Sequence, residues 1–278
     1  MPELAEVEHG RRVAERIALG RTIVEADVAD DDIVVQGTTW SDVRDAATGA
    51  KVIGTGRHGK HLWLDLEGRP SLLMHFGMTG GFRTRGDDPL ILENSPKEVD
   101  RAWPPRFTKI RLVFHDGGEL AMTNARRLGR IRLRDDVRGS PPVSKLGYDP
   151  LLELPSAADW DRRIGRRKTV VKSLLLDQSF AAGVGNWIAD EALYQARIDP
   201  RTRIHELTPQ RRTRLRKVIH DIVDTAVAVD ARKDEFPEDW LFHHRWGRKE
   251  GARTADGRPI SFLDIGGRTT AWVPSRQK

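Results

Sequence analysis

The hydrophobic and polar positions of the chain divide it into a helical start, a β-rich first half and a mainly helical second half. Between residues 3 and 19, apolar and small side chains recur at helical spacing, which predicts an amphipathic helix. Its buried stripe is expected to consist of Val7, Gly10, Ala14 and Ile17.

Residues 21–135 contain short β-prone runs separated by Gly, Asp-Gly and Pro-rich turns, so they are predicted to form mainly strands. The runs are Lys51–Leu66, Ser71–Phe76, Lys109–Phe114 and Arg130–Arg134. Because the last run alternates strictly, it predicts one buried face and one face with a row of three arginines. Such strands are typical of a half-exposed antiparallel sheet or sandwich.

Helical patterns begin after the Pro-rich stretch 136–150, which is predicted to be a linker. Helices are predicted at Thr169–Gln178, at Asn186–Ala196 and from Thr208 onward. Asn186 follows a Gly-Val-Gly turn and is expected to be the N-cap of its helix. Thr208, followed by a proline, is expected to cap the third helix.

The last stretch returns to strands around two glycine turns, Asp256-Gly257 and Gly266-Gly267. The predicted fold is therefore α+β, with an N-terminal antiparallel β-sandwich flanked by a helix at 1–135 and a linker at 136–150. A helical helix–two-turn–helix domain is predicted at 151–246, and a β-hairpin unit at 247–278.

Composition narrows the possible classes of site. The 278 residues contain no Cys, which excludes disulfides and thiolate zinc sites. His243-His244 is the only adjacent histidine pair, and spacing provides no third ligand, so we expect no metal and no cofactor. With 38% hydrophobic residues, no apolar run near the length of a membrane span and no signal pattern, the chain is expected to be soluble, intracellular and not secreted.

The net charge of +6 is concentrated in three basic blocks. Residues 101–135 hold nine Lys or Arg against three acidic residues, 162–172 hold six against none, and 201–217 hold seven against one. Such clustering indicates a polyanionic partner, most simply nucleic acid. The alternative is an arginine-rich chain with solvated basic faces.

The first eight residues suggest nucleophilic chemistry. Removal of Met1 would leave the secondary amine of Pro2 next to the carboxylate of Glu3. A secondary amine that attacks an aldehyde carbon forms a cationic iminium ion, which is a strong electron sink suited to elimination. The adjacent helix N-terminus would help to keep the amine neutral. The alternative is an ordinary start whose glutamates only complement the helix dipole.

Four further motifs each have an ordinary structural explanation when taken alone. Lys60 begins an apolar strand, Met78 lies on a Gly-flanked turn, Asn186 begins a helix where a phosphate can bind, and Arg268 lies at a hairpin tip. Lys60 and Arg268 could be surface residues, Met78 a core residue and Asn186 a plain helix start.

Together, in this order and over essentially the whole chain, these motifs closely resemble the Fpg/Nei family of DNA glycosylases, the formamidopyrimidine-DNA glycosylases. The resemblance implies a bifunctional glycosylase and abasic-site lyase of base-excision repair that acts on double-stranded DNA containing an oxidised base or an abasic site. Pro2 would attack C1′ of the damaged nucleotide, and Glu3 would protonate the opening sugar. Lys60 and Arg268 would hold phosphates and assist the β- and δ-eliminations.

The resemblance also implies the DNA contacts. His75 and Asn186 match phosphate contacts of the family. Met78, Arg126 and Leu128 fall where the family inserts three side chains into the space left by the flipped base, which offsets lost stacking.

The chain departs from the family pattern in four places. Ala5 replaces a proline, which is expected to be a mild change at the entry of the helix. Leu128 replaces a phenylalanine and stacks less well on neighbouring bases, so discrimination of the opposite base is expected to differ. Where zinc-binding relatives carry cysteines, this chain carries Arg253, Asp256, Val273 and Arg276, which resembles the zincless branch of plant and fungal members. Such a finger must be held by pairing and packing, with Phe262 and Trp272 as expected anchors. The stretch 231–246 lacks the longer Gly-rich loop over 8-oxoguanine, so we expect weak 8-oxoguanine excision and better action on formamidopyrimidines, hydantoin-type lesions and abasic sites.

Three alternatives stay open at this point. A catalytically silent damaged-DNA-binding protein would need neither Pro2 nor Glu3, a tautomerase would need neither Asn186 nor Arg268, and an RNA binder would leave the first half without a role. With roughly five phosphate contacts, DNA affinity is expected to fall on the order of 10²–10³-fold from about 50 to 200 mM salt. We expect a monomer, working in a bacterial cytoplasm or nucleoid or in a eukaryotic nucleus. The sequence leaves open the preferred lesion and opposite base, the use of single-stranded DNA and the rigidity of the finger.

Overall fold

The computed structural model describes residues 1–93, 101–165 and 167–278, which are arranged in two units. The first unit comprises Met1–Lys145 with Asp230–Lys233, and the second comprises Leu146–Val229 with Asp234–Lys278. The division after Lys145 falls inside the stretch predicted to be a linker. The further boundary between 246 and 247 stays a prediction, since the residues on both sides of it belong to the second unit.

The first unit is an antiparallel β-sandwich. Its strands are β1 (Ile23–Val28), β2 (Val52–His58), β3 (His61–Leu66), β4 (Ser71–His75), β5 (Gly81–Thr84), β6 (Thr108–Phe114), β7 (Glu119–Thr123) and β8 (Arg130–Arg134). They form two four-stranded sheets, ordered β1-β6-β7-β5 and β2-β3-β4-β8. Apolar side chains of both sheets form one core, in which Ile23, Phe114, Leu64 and Ile131 are almost fully buried. The predicted α+β class, with a sandwich in the N-terminal half, is confirmed.

Helix α1 (Leu4–Ala18) flanks this sandwich, as the hydrophobic spacing predicted. Val7 and Ala14 face the common core. A Cβ atom at Gly10 would lie 2.6 Å from the ring of Phe76, so the absence of a side chain there lets the helix approach the end of β4. The fit brings the first turn of α1 close to the turn that follows β4.

The first half also contains a helix that the strand pattern missed, α2 (Trp40–Ala47). Its N-cap is Thr39, whose hydroxyl accepts a hydrogen bond from the Asp42 amide (3.1 Å), while the Asp42 carboxylate accepts from the Thr39 amide (3.0 Å). This reciprocal capping stabilises a helix of only eight residues.

The second unit contains α3 (Ala157–Gly165), α4 (Val171–Leu176), α5 (Asn186–Ala196), α6 (Pro209–Ala228) and the antiparallel hairpin of β9 (Ser261–Ile265) and β10 (Arg268–Trp272). The predictions for α5, for the start of α6 and for the hairpin are confirmed. The helix predicted at 169–178 is shorter, because Val170 is extended and pairs with Arg203 in an isolated β-bridge. At its other end, the Asp177 carboxylate accepts a hydrogen bond from the Ser179 amide and turns the chain.

None of the helices in the described part of the chain combines the length and the apolar character that a membrane crossing requires.

Candidate active site

The start of α1 is built around two buried glutamates. Glu3 is the N-cap and only 2% exposed, and its amide donates to the Glu6 carboxylate at 2.9 Å. The Glu3 carboxylate accepts in return from the Glu6 amide, which completes a capping box. Pro2, immediately before this box, is also buried. The capping box therefore fixes the backbone of the first turn directly after Pro2, the residue predicted to be the nucleophile.

A cavity of ≈ 830 Å³ opens beside this first turn, entirely within the first unit. Pro2 and Glu6 line it together with Met78 and Arg126, so the structure brings together three of the residues predicted to act on DNA. Phe76, Phe82 and the segment Pro89–Leu92 contribute apolar wall. A cavity of this volume with a partly apolar wall can hold a small group next to Pro2.

Burial and the neighbouring Glu3 carboxylate raise the pKa of Glu6 to about 7. Glu6 therefore carries a proton through much of the range below neutral pH, which relieves like-charge repulsion with Glu3. The Glu6 carboxyl in the wall of the cavity is therefore partly protonated at neutral pH.

Replacing Glu6 with Gln is expected to remove a fall in stability between pH 4.5 and 7. Because the folded pKa lies above the unfolded one, the folded chain binds this proton more tightly, and the resulting stability is lost as pH rises through 7. Gln stays neutral, so its contribution does not change with pH. The free energy of unfolding is measured with urea at pH 5 and at pH 8. Its decrease between these two pH values should be larger in wild type than in the variant by on the order of 3 kcal/mol.

The matched control is Glu15→Gln on the same helix, where the carboxylate is 44% exposed. This variant should reproduce the pH dependence of the wild type. Parallel pH profiles for wild type and Glu6→Gln would contradict the assignment.

Lys60 and His75 lie in a second cluster of the first unit, at one end of the sheet β2-β3-β4-β8. Lys60 follows Gly59 (φ 57°) in the two-residue turn between β2 and β3. The rings of His61 and His75, on paired strands, are 4.8 Å apart, and Arg130 lies opposite His75 on β8. The structure thus brings Lys60 and His75 together with cationic side chains of β8.

Both imidazoles of this cluster are neutral at physiological pH. Burial, followed by the positive charges of Lys60 and Arg132, lowers the pKa of His75 to about 4. Burial, followed by the proximity of His75, lowers the pKa of His61 to about 3. The His75 Nδ1 atom accepts a hydrogen bond from the Gly77 amide (3.0 Å), which leaves Nε2 as the donor. A neutral donor among ammonium and guanidinium groups suits a phosphate oxygen.

The three residues predicted to enter the DNA stack lie on two neighbouring turns. Met78 is half-buried on the turn after β4, whereas Arg126 is exposed and Leu128 is 40% exposed on the turn after β7. A Cβ atom at Gly77 (φ 65°) would lie 2.5 Å from the Leu128 backbone, so glycine allows the two turns to touch.

Asn124, which the sequence did not single out, joins these two turns. Its side chain is fully buried, and its Nδ2 donates to the Phe76 carbonyl (2.7 Å). Its Oδ1 accepts from the amides of Leu128 (2.8 Å) and Gly129 (3.0 Å). One amide group therefore fixes the position of both turns. An asparagine directly after a strand and before two arginines was the available sequence signal.

Asn186 and Arg268 lie in the second unit, on neighbouring elements. The prediction that Asn186 is the N-cap is wrong: Gly185 is extended (φ −124°, ψ −156°) and caps α5, and Asn186 is the first helical residue. Its Nδ2 donates instead to the Thr269 carbonyl (2.8 Å). Arg268, the residue before, is exposed next to the turn of Gly266 (φ 59°) and Gly267 (φ 70°).

The finger hairpin is held by packing and pairing. Val273 is fully buried, and the Arg276 guanidinium stacks 4.5 Å from the ring centre of Tyr194. Phe262 packs against the apolar cluster that contains Tyr194 and Val273. Trp272 is 9% exposed and lies beneath the guanidinium of Arg201. Within the described ranges, no group of His, Cys, Asp or Glu side chains is arranged to hold a metal ion.

The aromatic side chains of the stretch 231–246 pack against α5. Phe236, Trp240 and Phe242 cluster around Trp187 of α5, with ring centres 5.2–6.3 Å from it. Directly before the stretch, the Asp230 carboxylate lies 3.0 Å from Nδ1 of His9 on α1. The aromatic side chains of this stretch are therefore packed on α5, while most of its charged side chains are exposed.

Comparison with known proteins agrees with this arrangement. Residues 1–131 match the model of the formamidopyrimidine-DNA glycosylase N-terminal domain, and residues 146–237 match that of its H2TH domain. A formamidopyrimidine-DNA glycosylase of Arabidopsis thaliana is 39% identical over 278 residues, covering 100% of this chain and 71% of that protein. One from Thermus thermophilus is 33% identical, covering 100% and 98%.

Solved structures share the fold. The crystal structure of the MutM (Fpg) protein from Thermus thermophilus is 31% identical, with a TM-score of 0.77 over 99% of this chain and 98% of that one. The Lactococcus lactis enzyme, non-covalently bound to DNA containing an abasic site, has a TM-score of 0.81 over 99% of both chains. At 23% identity, the second comparison establishes the fold alone.

Proposed function

Because the chain belongs to the formamidopyrimidine-DNA glycosylase family, we propose that it removes oxidised bases from duplex DNA through a covalent intermediate on Pro2 and then cleaves the strand. The enzyme is a DNA glycosylase and abasic-site lyase of base-excision repair. The observation that carries the proposed chemistry is the position of Pro2 in the wall of a large cavity, directly before the buried Glu3–Glu6 pair.

The first step of the proposal requires removal of Met1, which turns the Pro2 nitrogen into a secondary amine. Its lone pair attacks C1′ of the damaged nucleotide, and the C1′–N bond to the base breaks with its electrons going to the base, which takes up the proton released by the Pro2 nitrogen. Glu3 protonates the ring oxygen of the sugar, and the sugar opens to leave an iminium ion between Pro2 and C1′. The burial of Glu3 excludes water from this proton transfer.

The second step uses the iminium ion as an electron sink. Loss of a C2′ proton with departure of the 3′ phosphate gives β-elimination, and loss of a C4′ proton with departure of the 5′ phosphate gives δ-elimination. We assign Lys60 and Arg268 to these phosphates, because cations stabilise the charge that develops on a leaving phosphate. His75 and Asn186 are assigned to flanking phosphates; the neutral imidazole of His75 and the remaining N–H of the Asn186 amide can each donate a hydrogen bond.

The flipped base leaves a gap in the duplex, and we assign Met78, Arg126 and Leu128 to fill it. The two turns that carry these residues are joined through Asn124, so they can enter the duplex together.

The preferred lesions are proposed to be formamidopyrimidines, hydantoin-type bases and abasic sites, with weak action on 8-oxoguanine. The reason is that the stretch 231–246 is short and its aromatic side chains are packed on α5. The enzyme is proposed to act as a monomer in the compartment that contains the genomic DNA.

Borohydride trapping on an oligonucleotide with one abasic site tests the proposal. Protein whose Pro2 terminus has been verified by mass spectrometry should form a covalent adduct, whereas protein with two extra N-terminal residues should bind the DNA without forming one. Adducts from both forms would place the nucleophile elsewhere. DNA binding without any adduct would instead identify a catalytically silent damaged-DNA-binding protein.

A further inference from the structure

A single buried carboxylate joins three elements of the second unit. Asp190, one turn after Asn186 on α5, is 1% exposed. Its Oδ1 accepts a hydrogen bond from the Lys172 ammonium on α4, and its Oδ2 accepts two from Arg245, through Nε (3.0 Å) and Nη2 (2.5 Å). The same Oδ2 accepts a hydrogen bond from the backbone N–H of Ala271 on β10 (3.1 Å). The carboxylate thus binds two side-chain cations and one strand of the finger.

The burial of this cluster makes its geometry unusually restrictive. Lys172 is fully buried and Arg245 is 5% exposed, so neither cation can exchange its partner for water. Breaking a buried ion pair leaves an uncompensated charge, which is far more damaging than losing a surface pair. The Lys172 ammonium also donates to the Asn186 carbonyl (3.0 Å) at the start of α5.

The same cluster determines where two of the proposed DNA contacts lie. Ala271, bound by Asp190, is three residues after Arg268 on β10. Thr269 lies between these two residues, and its carbonyl accepts a hydrogen bond from Asn186 Nδ2 (2.8 Å). Asn186 and Arg268 are therefore held to one another through two contacts between α5 and β10, of which the charged contact is fully buried.

The next residue along α5 provides a natural comparison. Glu191 is also fully buried, and burial raises its pKa to about 7. It accepts hydrogen bonds from the Phe242 amide (2.9 Å) and from Gln195 (2.8 Å). Those partners lie on α5 itself and on the stretch 231–246, so Glu191 supports the helix without binding the finger hairpin.

We propose that Asp190 is a positioning residue that fixes β10 to α5 and so sets the placement of Arg268 for the second elimination. This inference rests on the proposed function, because it takes the elimination role of Arg268 from it. The strand is held through a backbone amide, Ala271 N–H, so the link does not depend on the side chains of the hairpin. Neutralising Asp190 leaves both cations without their counter-charge and loosens the strand.

The test compares Asp190→Asn with Glu191→Gln as the matched neutralising control. Asn keeps the size of the side chain, but one carboxylate oxygen becomes an NH2 group. This donor then faces the donor groups of Lys172 or Arg245. In Asp190→Asn, borohydride trapping is expected to stay within threefold of wild type, while the second elimination slows at least tenfold and the β-elimination product accumulates. Deuterium exchange in residues 268–272 is expected to rise at least tenfold. Glu191→Gln should keep both the product ratio and the exchange of that peptide.

A second variant covers the case in which Asp190→Asn fails to fold. Arg245→Lys keeps the charge but loses the two-pronged contact, and it should shift the ratio in the same direction by a smaller factor. An unchanged ratio and unchanged exchange in a folded variant would overturn the proposal. So would a proportional loss of trapping and both eliminations, which indicates a general structural role. If wild type itself forms no adduct, the proposed function fails, but the exchange measurement still decides whether Asp190 holds β10.

Discussion

Glu3→Gln is expected to lower the rate of base excision by about 10²–10⁴-fold while leaving the fold almost unchanged. Glu3 is 2% exposed, so water cannot readily replace its proton. The Gln side chain still offers an oxygen to the Glu6 amide, and the capping box should survive in part. The rate is measured in single turnover on a duplex with one formamidopyrimidine.

The control for this prediction is the substrate rather than the protein. The sugar of a preformed abasic site already equilibrates with its open aldehyde form, so Glu3→Gln should lose much less activity there than on the intact lesion. Equal losses on both substrates would contradict the assignment of Glu3 to sugar opening during base excision. A melting temperature lower by more than about 5 °C would instead indicate that the cap had failed, since 1 kcal/mol shifts the midpoint by roughly 2–4 °C in a chain of this size.

Much of the fold could be predicted because its strongest patterns are local. The amphipathic period of α1, the strict alternation of Arg130–Arg134 and the glycine turn before α5 each fix an element almost to the residue. By contrast, β5 contains only Gly81–Thr84, and its place at the sheet edge comes from pairing with β7. A strand of four residues is determined by its partner more than by its own sequence.

The misplaced cap at Asn186 has a similar cause. Asparagine is a favoured N-cap residue, and the glycine before it carries no side chain with which to cap. In the structure the asparagine amide binds Thr269, which is 83 residues away along the chain. A tertiary contact of this kind overrides a local preference, and no local pattern reveals it.

The candidate site was predictable only in part, for the same reason. Pro2 and Met78 were predicted as separate motifs, but their meeting in one cavity depends on the packing of α1 against the end of β4. Asp190 is one acidic residue on a helix until folding places two cations and a backbone amide around it. Sequence motifs predicted the residues that are proposed to contact the substrate, whereas the residues that position them became visible only in the structure.

Asn124→Ala is expected to lower the free energy of unfolding by about 3 kcal/mol and to slow base excision from duplex DNA at least tenfold. The change leaves the buried Gly129 amide and the buried Phe76 carbonyl without their partner, together with the partly buried Leu128 amide. Each buried unsatisfied group costs roughly 1–3 kcal/mol, part of which relaxation recovers. The turns bearing Met78, Arg126 and Leu128 would then move independently, so less of the lost stacking would be offset.

Single-stranded substrate separates the two effects of Asn124→Ala. An abasic site in single-stranded DNA needs no side chains in a duplex, so the variant should cleave it within about threefold of wild type at temperatures where it is fully folded. Asn124→Asp is the matched variant: it keeps the acceptor for the Leu128 and Gly129 amides but turns a carboxylate oxygen toward the Phe76 carbonyl. It should therefore retain the turn after β7 and release only the turn after β4, with a smaller defect on duplex DNA. If Asn124→Ala lost activity equally on single-stranded and duplex DNA, the two turns would have a role in the chemistry itself rather than in holding the duplex open.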